Sequence, residues 1–343
     1  MRPLVQKAHT RPVSSVRYNA DGDLFFTAGK DGKVVAWRAE SGDFLGYYHG
    51  HEGAVNTVDC TRDSRFLLTG SADTSIRIWK TQTGDQLWKY AFPAPLKAVE
   101  FSGTNDMFLV VQENAMKQPA LIYIFSCEFD ENQPINCSLQ KTIGPFPDRV
   151  VCAAWGPEDR FIYAGDDKGK LIVVDVSTGQ PTNSVPAHTK TINDIHFSVD
   201  RTHFVTASSD TSIKLWDATS DQPTAVRVFS STVPLNTAAL SPIRNHVAGA
   251  GGMEAAHVTT SYNADEADKF TAKFWETVHG DPLGEIKGHF GPVHVIRFSP
   301  TGRSFVTGSE DGHSRLHHFD EEYFVDMERE RAELIIDEEE EEL

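Results

Sequence analysis

The chain has 343 residues, 39 % of them apolar and 10 % aromatic, with 25 glycines and 17 prolines, the balance of a turn-rich globular protein rather than a disordered or fibrous one. A formal charge of −17 excludes a protein built mainly to cover phosphate backbones, an affinity that Lys and Arg supply. No apolar stretch reaches the roughly eighteen residues of a membrane span, the opening MRPLVQKAHT lacks a signal-peptide core, and four cysteines at unrelated spacings fit reduced thiols better than a disulfide or zinc framework.

In chain order, RPLVQKA carries the strand-like pair Leu4 and Val5, and is followed by a set of four residues: His9, Thr27, Asp31 and Trp37. The same offsets return as His51, Thr69, Asp73 and Trp79, as His188, Thr206, Asp210 and Trp216, and as His289, Thr307 and Asp311, the last copy having His317 where the tryptophan would stand. Around them, segments such as VNTVDC, INDIHF and VHVIRF alternate apolar and polar residues, and IRIW, IKLW and VVAW are short β-branched runs. Dipeptides such as Asp31-Gly32, Thr83-Gly84 and Asp311-Gly312 mark the turns between them. Before residue 320 no stretch has helical periodicity, so the body reads as all-β.

Hydroxyl, imidazole and carboxylate are also the parts of a hydrolase triad, with Thr69, His51 and Asp73 as nucleophile, base and orienter. An active site needs one exposed, activated nucleophile, whereas copies at identical offsets describe a structural unit used repeatedly. Each unit offers about four short strands, a sheet too apolar on both faces to stand in water alone, and radial stacking buries those faces. A buried imidazole and carboxylate are costly unless every polar atom is paired, so each set is expected to tie the loops of its sheet together.

Degenerate units fill the gaps between these copies. The third is expected from about Trp88 to Ser126; the fourth has Ala164, Lys168 and Val174 at the Thr, Asp and Trp positions; the sixth runs from PLNTAALSP to AKFW with an insertion over residues 249–268. CEFDENQPINC is read as joining units three and four, which gives seven units in all. An unclosed ring would leave raw sheet edges, so the segment before His9 is expected to complete the seventh sheet beside SRLHHF.

Weaker signals stay structural. GDDKGKL is two residues short of a phosphate loop and reads as a hairpin turn, GAGG has no helix after it and reads as a close backbone contact, and His317 and His318, as strand neighbours, point to opposite faces and cannot chelate together. No metal, cofactor or catalytic residue is expected. From Asp320 onward thirteen acids face two arginines; this tail is expected to begin as a short helix around Leu334, Ile335 and Ile336 or to stay solvated.

Gly50-His51, Gly288-His289, Trp216-Asp217 and the 42-residue step from His9 to His51 resemble WD-repeat β-propellers. The resemblance implies a seven-bladed WD40 propeller over residues 1–325, closed by an N-terminal strand, with an acidic extension over 326–343, and assigns structural roles to the four sets. PLNTAALSP, GGMEAAHVTT, KFTAKFW and IKGHFGPVHVIRFSPTGRSFVTGSEDGHSRLHHFD are similar to the WD-repeat i subunit of eukaryotic translation initiation factor three. That likeness implies a cytoplasmic, non-catalytic subunit that holds the b and g subunits, reaches the small ribosomal subunit through the complex, supports mRNA recruitment and scanning, and contacts neither nucleic acid directly nor membrane. It also implies a contact for the b subunit on blades five and six; Ser209, Asp217, Asp221, Leu235 and Asn236 are the residues expected there. The alternative within the binding class is a WD-repeat adaptor associated with serine/threonine kinase receptors and mRNA-protein assembly.

Overall fold

A computed structural model describes residues 3–129, 135–220, 222–252 and 270–324; the expectations for the acidic tail and for Asp221 lie outside them. Among the described residues twenty-eight strands form seven four-stranded antiparallel sheets, each a consecutive meander except the last. Blade one is Val13–Tyr18, Leu24–Gly29, Val34–Arg38 and Phe44–Tyr48, counted from the inner to the outer strand. The inner strands of the other six are Val55–Cys60, Leu96–Phe101, Val150–Trp155, Ile192–Phe197, Leu235–Leu240 and Val293–Phe298. Consecutive inner strands touch all the way round, blade seven against blade one included, so the sheets close a ring about a central channel.

The reason for the ring is in the core, which is seven clusters rather than one, each at a junction between neighbouring blades. Phe26, Val34 and Trp79 fill the first junction, for example, and Trp155, Ile162 and Val174 join Leu109, Ile122 and Ile143 in the third. Both faces of every sheet are apolar, and each fully covered Leu or Phe contributes about 1.5–3 kcal/mol. A single sheet removed from the stack would expose two such faces.

Closure is made by the chain's start. Leu4, Val5 and Gln6 pair with Leu316, Arg315 and Ser314 on the third strand of blade seven, Ser314–His318, so residues far apart in sequence share one sheet. A helical turn over residues 321–324 then packs Tyr323 against Phe319 and Arg244.

Three expectations need correction. Trp88 lies opposite Ile78 in the outer strand of blade two, and blade three runs from Leu96 to Phe146, because CEFDENQPINC belongs to the hairpin between its third and fourth strands, Ala120–Glu128 and Asn136–Phe146, rather than to a linker. That hairpin places Cys127 directly opposite Cys137, with Cα atoms 4.2 Å apart, and a disulfide joins them; only Cys60 and Cys152, both buried, are free thiols among the described residues. In blade six the second strand runs on through Gly251, so residues 249–251 are sheet rather than insertion; a Cβ on Gly251 would collide with the Pro234 carbonyl.

Deleting residues 2–7 should expose the third strand of blade seven as an edge and lower the melting temperature by about 5 °C or more, far beyond the effect of trimming a free terminus. A truncated protein that melts like the full chain would show that this strand does not close the ring.

Candidate functional site

In blades one, two and five the repeated set of residues is a chain of hydrogen bonds that begins at an indole and ends on a backbone. Trp79 Nε1–H donates to Thr69 Oγ1 at 2.9 Å, His51 Nε2 lies 2.8 Å from the same oxygen, and His51 Nδ1 is 2.8 Å from Asp73 Oδ2. Indole only donates and carboxylate only accepts, so the threonine proton goes to Nε2 and the imidazole is the neutral Nδ1–H form. Blades one and five repeat this: Trp37 and Trp216 donate to Thr27 and Thr206 at 2.9 Å, and His9 and His188 meet Asp31 and Asp210 at 3.0 Å. The aspartates then accept the Thr10, Glu52, Thr189 and Phe290 amides at the entry of each blade, and Lys33, Ser75, Ser212 and His313 amides in their own turns.

Although the connectivity is that of a hydrolase triad, the access is not. Thr27, Thr69 and Thr206 are 0 % exposed and Thr307 is 2 %, so no substrate can reach these hydroxyls. Burial opposes ionisation of Asp73 and Asp210, but hydrogen bonds outweigh it: those from His51 and Ser75 hold Asp73 well below the usual carboxylate range, and those from Ser212, the Thr189 amide and His188 bring Asp210 to about 2. Burial lowers His51, His188 and His289, keeping the neutral tautomer that the network requires.

Blade seven departs from the pattern. His289 Nε2 is 2.7 Å from Thr307 Oγ1 and Nδ1 is 3.1 Å from Asp311, but the ring of His317 stacks on Phe305 at 4.7 Å and leaves its buried Nδ1 without a partner. Arg315 fills in, donating to Asp311 at 3.1 Å beside His289. Burial pushes His317 down to about 4.

A second network, lining the channel, was not anticipated. Arg17 of blade one reaches Asp59 of blade two at 2.7 Å, and Asp59 accepts the Phe101 amide of blade three at 2.7 Å. Glu100 of blade three accepts the Trp155 amide of blade four at 2.9 Å; Arg201 of blade five donates to Asp159 of blade four at 3.2 Å. Arg297 of blade seven grips Asp194 of blade five with two bonds of 2.8 and 2.9 Å, and Thr237 of blade six donates to the same carboxylate at 2.7 Å. Charge at the fifth residue of the inner strands, Arg17, Asp59, Glu100 and Arg297, was the available signal.

Of the residues expected to meet a partner, the four that are described, Ser209, Asp217, Leu235 and Asn236, do not share a surface. Leu235 is 1 % exposed and packs in the core between blades five and six, and Asn236 donates to the Val293 carbonyl at 3.0 Å. Ser209 accepts from Asn193 at the end of the blade that carries the tetrad turns, whereas Asp217, which accepts the Thr219 amide, ends the third strand at the other end. Better placed are Val226 and Val228 on the outer strand of blade five, 52 % and 51 % exposed, and Val278 and Leu283 of blade six, 51 % and 50 % exposed. Arg227, between the two valines and in register with Leu215 of the face towards blade six, donates to the His279 carbonyl of that blade at 2.8 Å, and Val228, in register with Lys214, is on the opposite face. Among the described residues no three His, Cys, Asp or Glu side chains gather as a metal site.

Thr69→Ala leaves a buried indole N–H and a buried imidazole nitrogen unpaired and should cost about 2–5 kcal/mol in urea unfolding; an unchanged midpoint would refute the role given to that hydroxyl. His317 in the folded state, at about 4, binds fewer protons than an unfolded histidine near 6.5. Its stabilisation is therefore complete above the upper value and is lost as pH falls between the two. His317→Phe should make the drop in stability from pH 7.5 to pH 5 smaller by about 2 kcal/mol.

Comparison with known proteins agrees with this architecture. Against the propeller domain of Cps50 (Swd1) from Myceliophteria thermophila the TM-score is 0.73, covering 92 % of this chain and 99 % of that one at 18 % identity, a likeness of fold. The family model described as EIF3I matches residues 1–328. Eukaryotic translation initiation factor 3 subunit I of Nematostella vectensis is 38 % identical over 323 residues, 94 % of this chain and 98 % of the relative; that of Schizosaccharomyces pombe is 35 % identical over 326 residues, with the same coverage. Subunit I of Xenopus tropicalis is 38 % identical over 331 residues. With the buried tetrads, the seven closed blades and matches along nearly its whole length, this chain belongs to the family of subunit I of eukaryotic translation initiation factor 3.

Proposed function

We propose that this protein is a non-catalytic scaffold in the cytoplasmic initiation factor 3 complex, where it holds the b and g subunits and supports mRNA recruitment and scanning on the small ribosomal subunit without touching nucleic acid itself. Family membership supports a place in the complex. The observation that carries the contact is the pair Val226 and Val228, half exposed on the outer strand of blade five. Val226 and Val228 flank Arg227 on that strand, and exposed apolar side chains of this kind mark sites of association. A docked amphipathic helix of the b subunit would cover it, its apolar side on the valines. The sealed threonines favour a holding role over turnover.

Purification of the tagged chain should bring down the b and g subunits with 40S particles. Val226→Glu with Val228→Glu places two charges under the proposed helix while leaving the core intact, and should reduce recovery of the b subunit about tenfold or more at an unchanged melting temperature. Full recovery of b would move the contact elsewhere; receptor kinases or splicing-assembly factors in place of initiation factor subunits would overturn the reading itself.

A further inference from the structure

The hairpin at the end of blade three overshoots its neighbours. Its third strand has nine residues where the third strands of the other blades have five or six, and its outer strand has eleven. The overhang carries two cysteines on directly opposed positions: Ser126 faces Ser138, Cys127 faces Cys137 and Glu128 faces Asn136. Beyond those rungs the chain leans on blade two. Phe129 stacks on Phe66 with ring centres 4.6 Å apart, and the buried Ile135 joins Phe66, Phe101 and Phe125 in one core cluster and borders a groove with Tyr48 and Leu87 between blades one and two.

This pair differs from the other two thiols. Cys60 and Cys152 are buried in the inner strands of blades two and four, and burial pushes both thiols up, which keeps them protonated and unreactive. Cys127 is buried too, but Cys137 lies half-buried on the outermost strand between exposed Asn136 and Ser138, so attack from solvent falls on its side of the bond. The neighbouring rung keeps the strands in register independently of any bond between the sulfurs: Ser126 Oγ and Ser138 Oγ are 3.0 Å apart, and Gln140 donates to them at 2.8 and 2.7 Å. Opened thiols therefore stay opposite each other, which is the condition for closing again. In a compartment kept reducing by glutathione, the setting proposed for this chain, disulfides are as a rule transient or redox-sensing rather than structural.

We propose that Cys127 and Cys137 are a reversible oxidation site whose state sets how firmly the end of the blade-three hairpin is held against blade two. Oxidation uses a low-molecular-weight disulfide such as glutathione disulfide. The thiolate of one cysteine attacks it to form a mixed disulfide and releases one thiolate, and the other cysteine displaces the second. One S–S bond forms and one breaks, two electrons pass to the reagent, and the two cysteine protons leave with its two thiols. Reduction runs the exchange backwards: an external thiolate attacks Cys137, Cys127 leaves as thiolate and takes up a proton, and a second external thiol frees Cys137. The closed bond ties a ring whose ends are 10 positions apart, so Phe129 and Ile135 have little freedom to leave blade two. Once it is open, the last rung and those two side chains hold the end alone, and it opens more often. The groove beside Tyr48 and Leu87 then loses a fixed wall. This inference stands apart from the contact proposed on blade five.

The test is made on the purified full chain, with glutathione disulfide and dithiothreitol as reagents. After oxidation, unfolding and alkylation with N-ethylmaleimide, the intact mass should show labels on Cys60 and Cys152 alone; after reduction of the folded protein it should show all four cysteines labelled, and re-oxidation should restore the first pattern. Hydrogen exchange of the amides of residues 126–128 and 136–138 should be about tenfold faster in the reduced protein, with the tetrad-bearing blades unchanged. Cys137→Ser should exchange at the faster rate with or without reductant, and Cys60→Ser should respond as the wild-type chain does. The central comparison is between two states of one protein, so it does not depend on either variant folding. Four labelled cysteines after oxidation, or glutathione retained on the protein, would show that the pair does not close. Labels confined to Cys60 and Cys152 after reduction of the folded protein would make the bond a permanent cross-link, and equal exchange in the two states would remove its hold on the hairpin. Each of these results overturns the proposal.

Discussion

In the blades that keep the repeated set, one buried hydroxyl carries much of the geometry. Thr69 accepts the Trp79 indole proton and gives its own to His51, and in doing so it fixes the tautomer, which fixes the direction of the imidazole, which places Asp73 against two stretches of backbone amide. The chain of consequences runs from the third strand through the second to the loop that enters the blade. In low dielectric such a network has one satisfied arrangement, and an alternative packing leaves polar atoms unpaired. A sheet with two apolar faces needs that specificity, because hydrophobic burial alone is indifferent to register.

The blades without a full tetrad are those gripped hardest from the channel. Blade three receives Asp59 on its Phe101 amide, and blade four is bound on one side by Glu100 and on the other by Arg201. Blade six sits under the Asp194–Arg297 pair, whose partners lie in the blades on either side of it and to which Thr237 contributes a hydrogen bond. Ion pairs of this kind contribute little net energy when desolvation is counted, but removing one partner is strongly destabilising. Their effect is to set spacing and order around the ring, which the tetrads, confined to one blade each, cannot do.

The molecule is consequently rigid at its centre and free at its periphery. The tetrads use His, Thr, Asp and Trp for internal bonding, and their chemistry is sealed from solvent. What faces outward includes Val226 and Val228, half exposed on the outer strand of blade five. Exposed apolar side chains of this kind suit the apolar face of a docked helix.

The sequence by itself determined the blade count, the all-β architecture and which residues make up the tetrads, because these are set by offsets within about 40 residues and repeat often enough to be read as a period. It also pointed to the closing strand, since Leu4 and Val5 had no other sheet to join. Only the tertiary structure decided that Cys127 faces Cys137, that blade three ends at Phe146, that Leu235 is core and Asn236 a seam, and that Arg297 meets Asp194 across 103 positions. These depend on strand register and on curvature of the ring, and a shift of one residue would turn every side chain to the other face. Composition and spacing hold no record of that choice; the simultaneous packing of all seven sheets makes it.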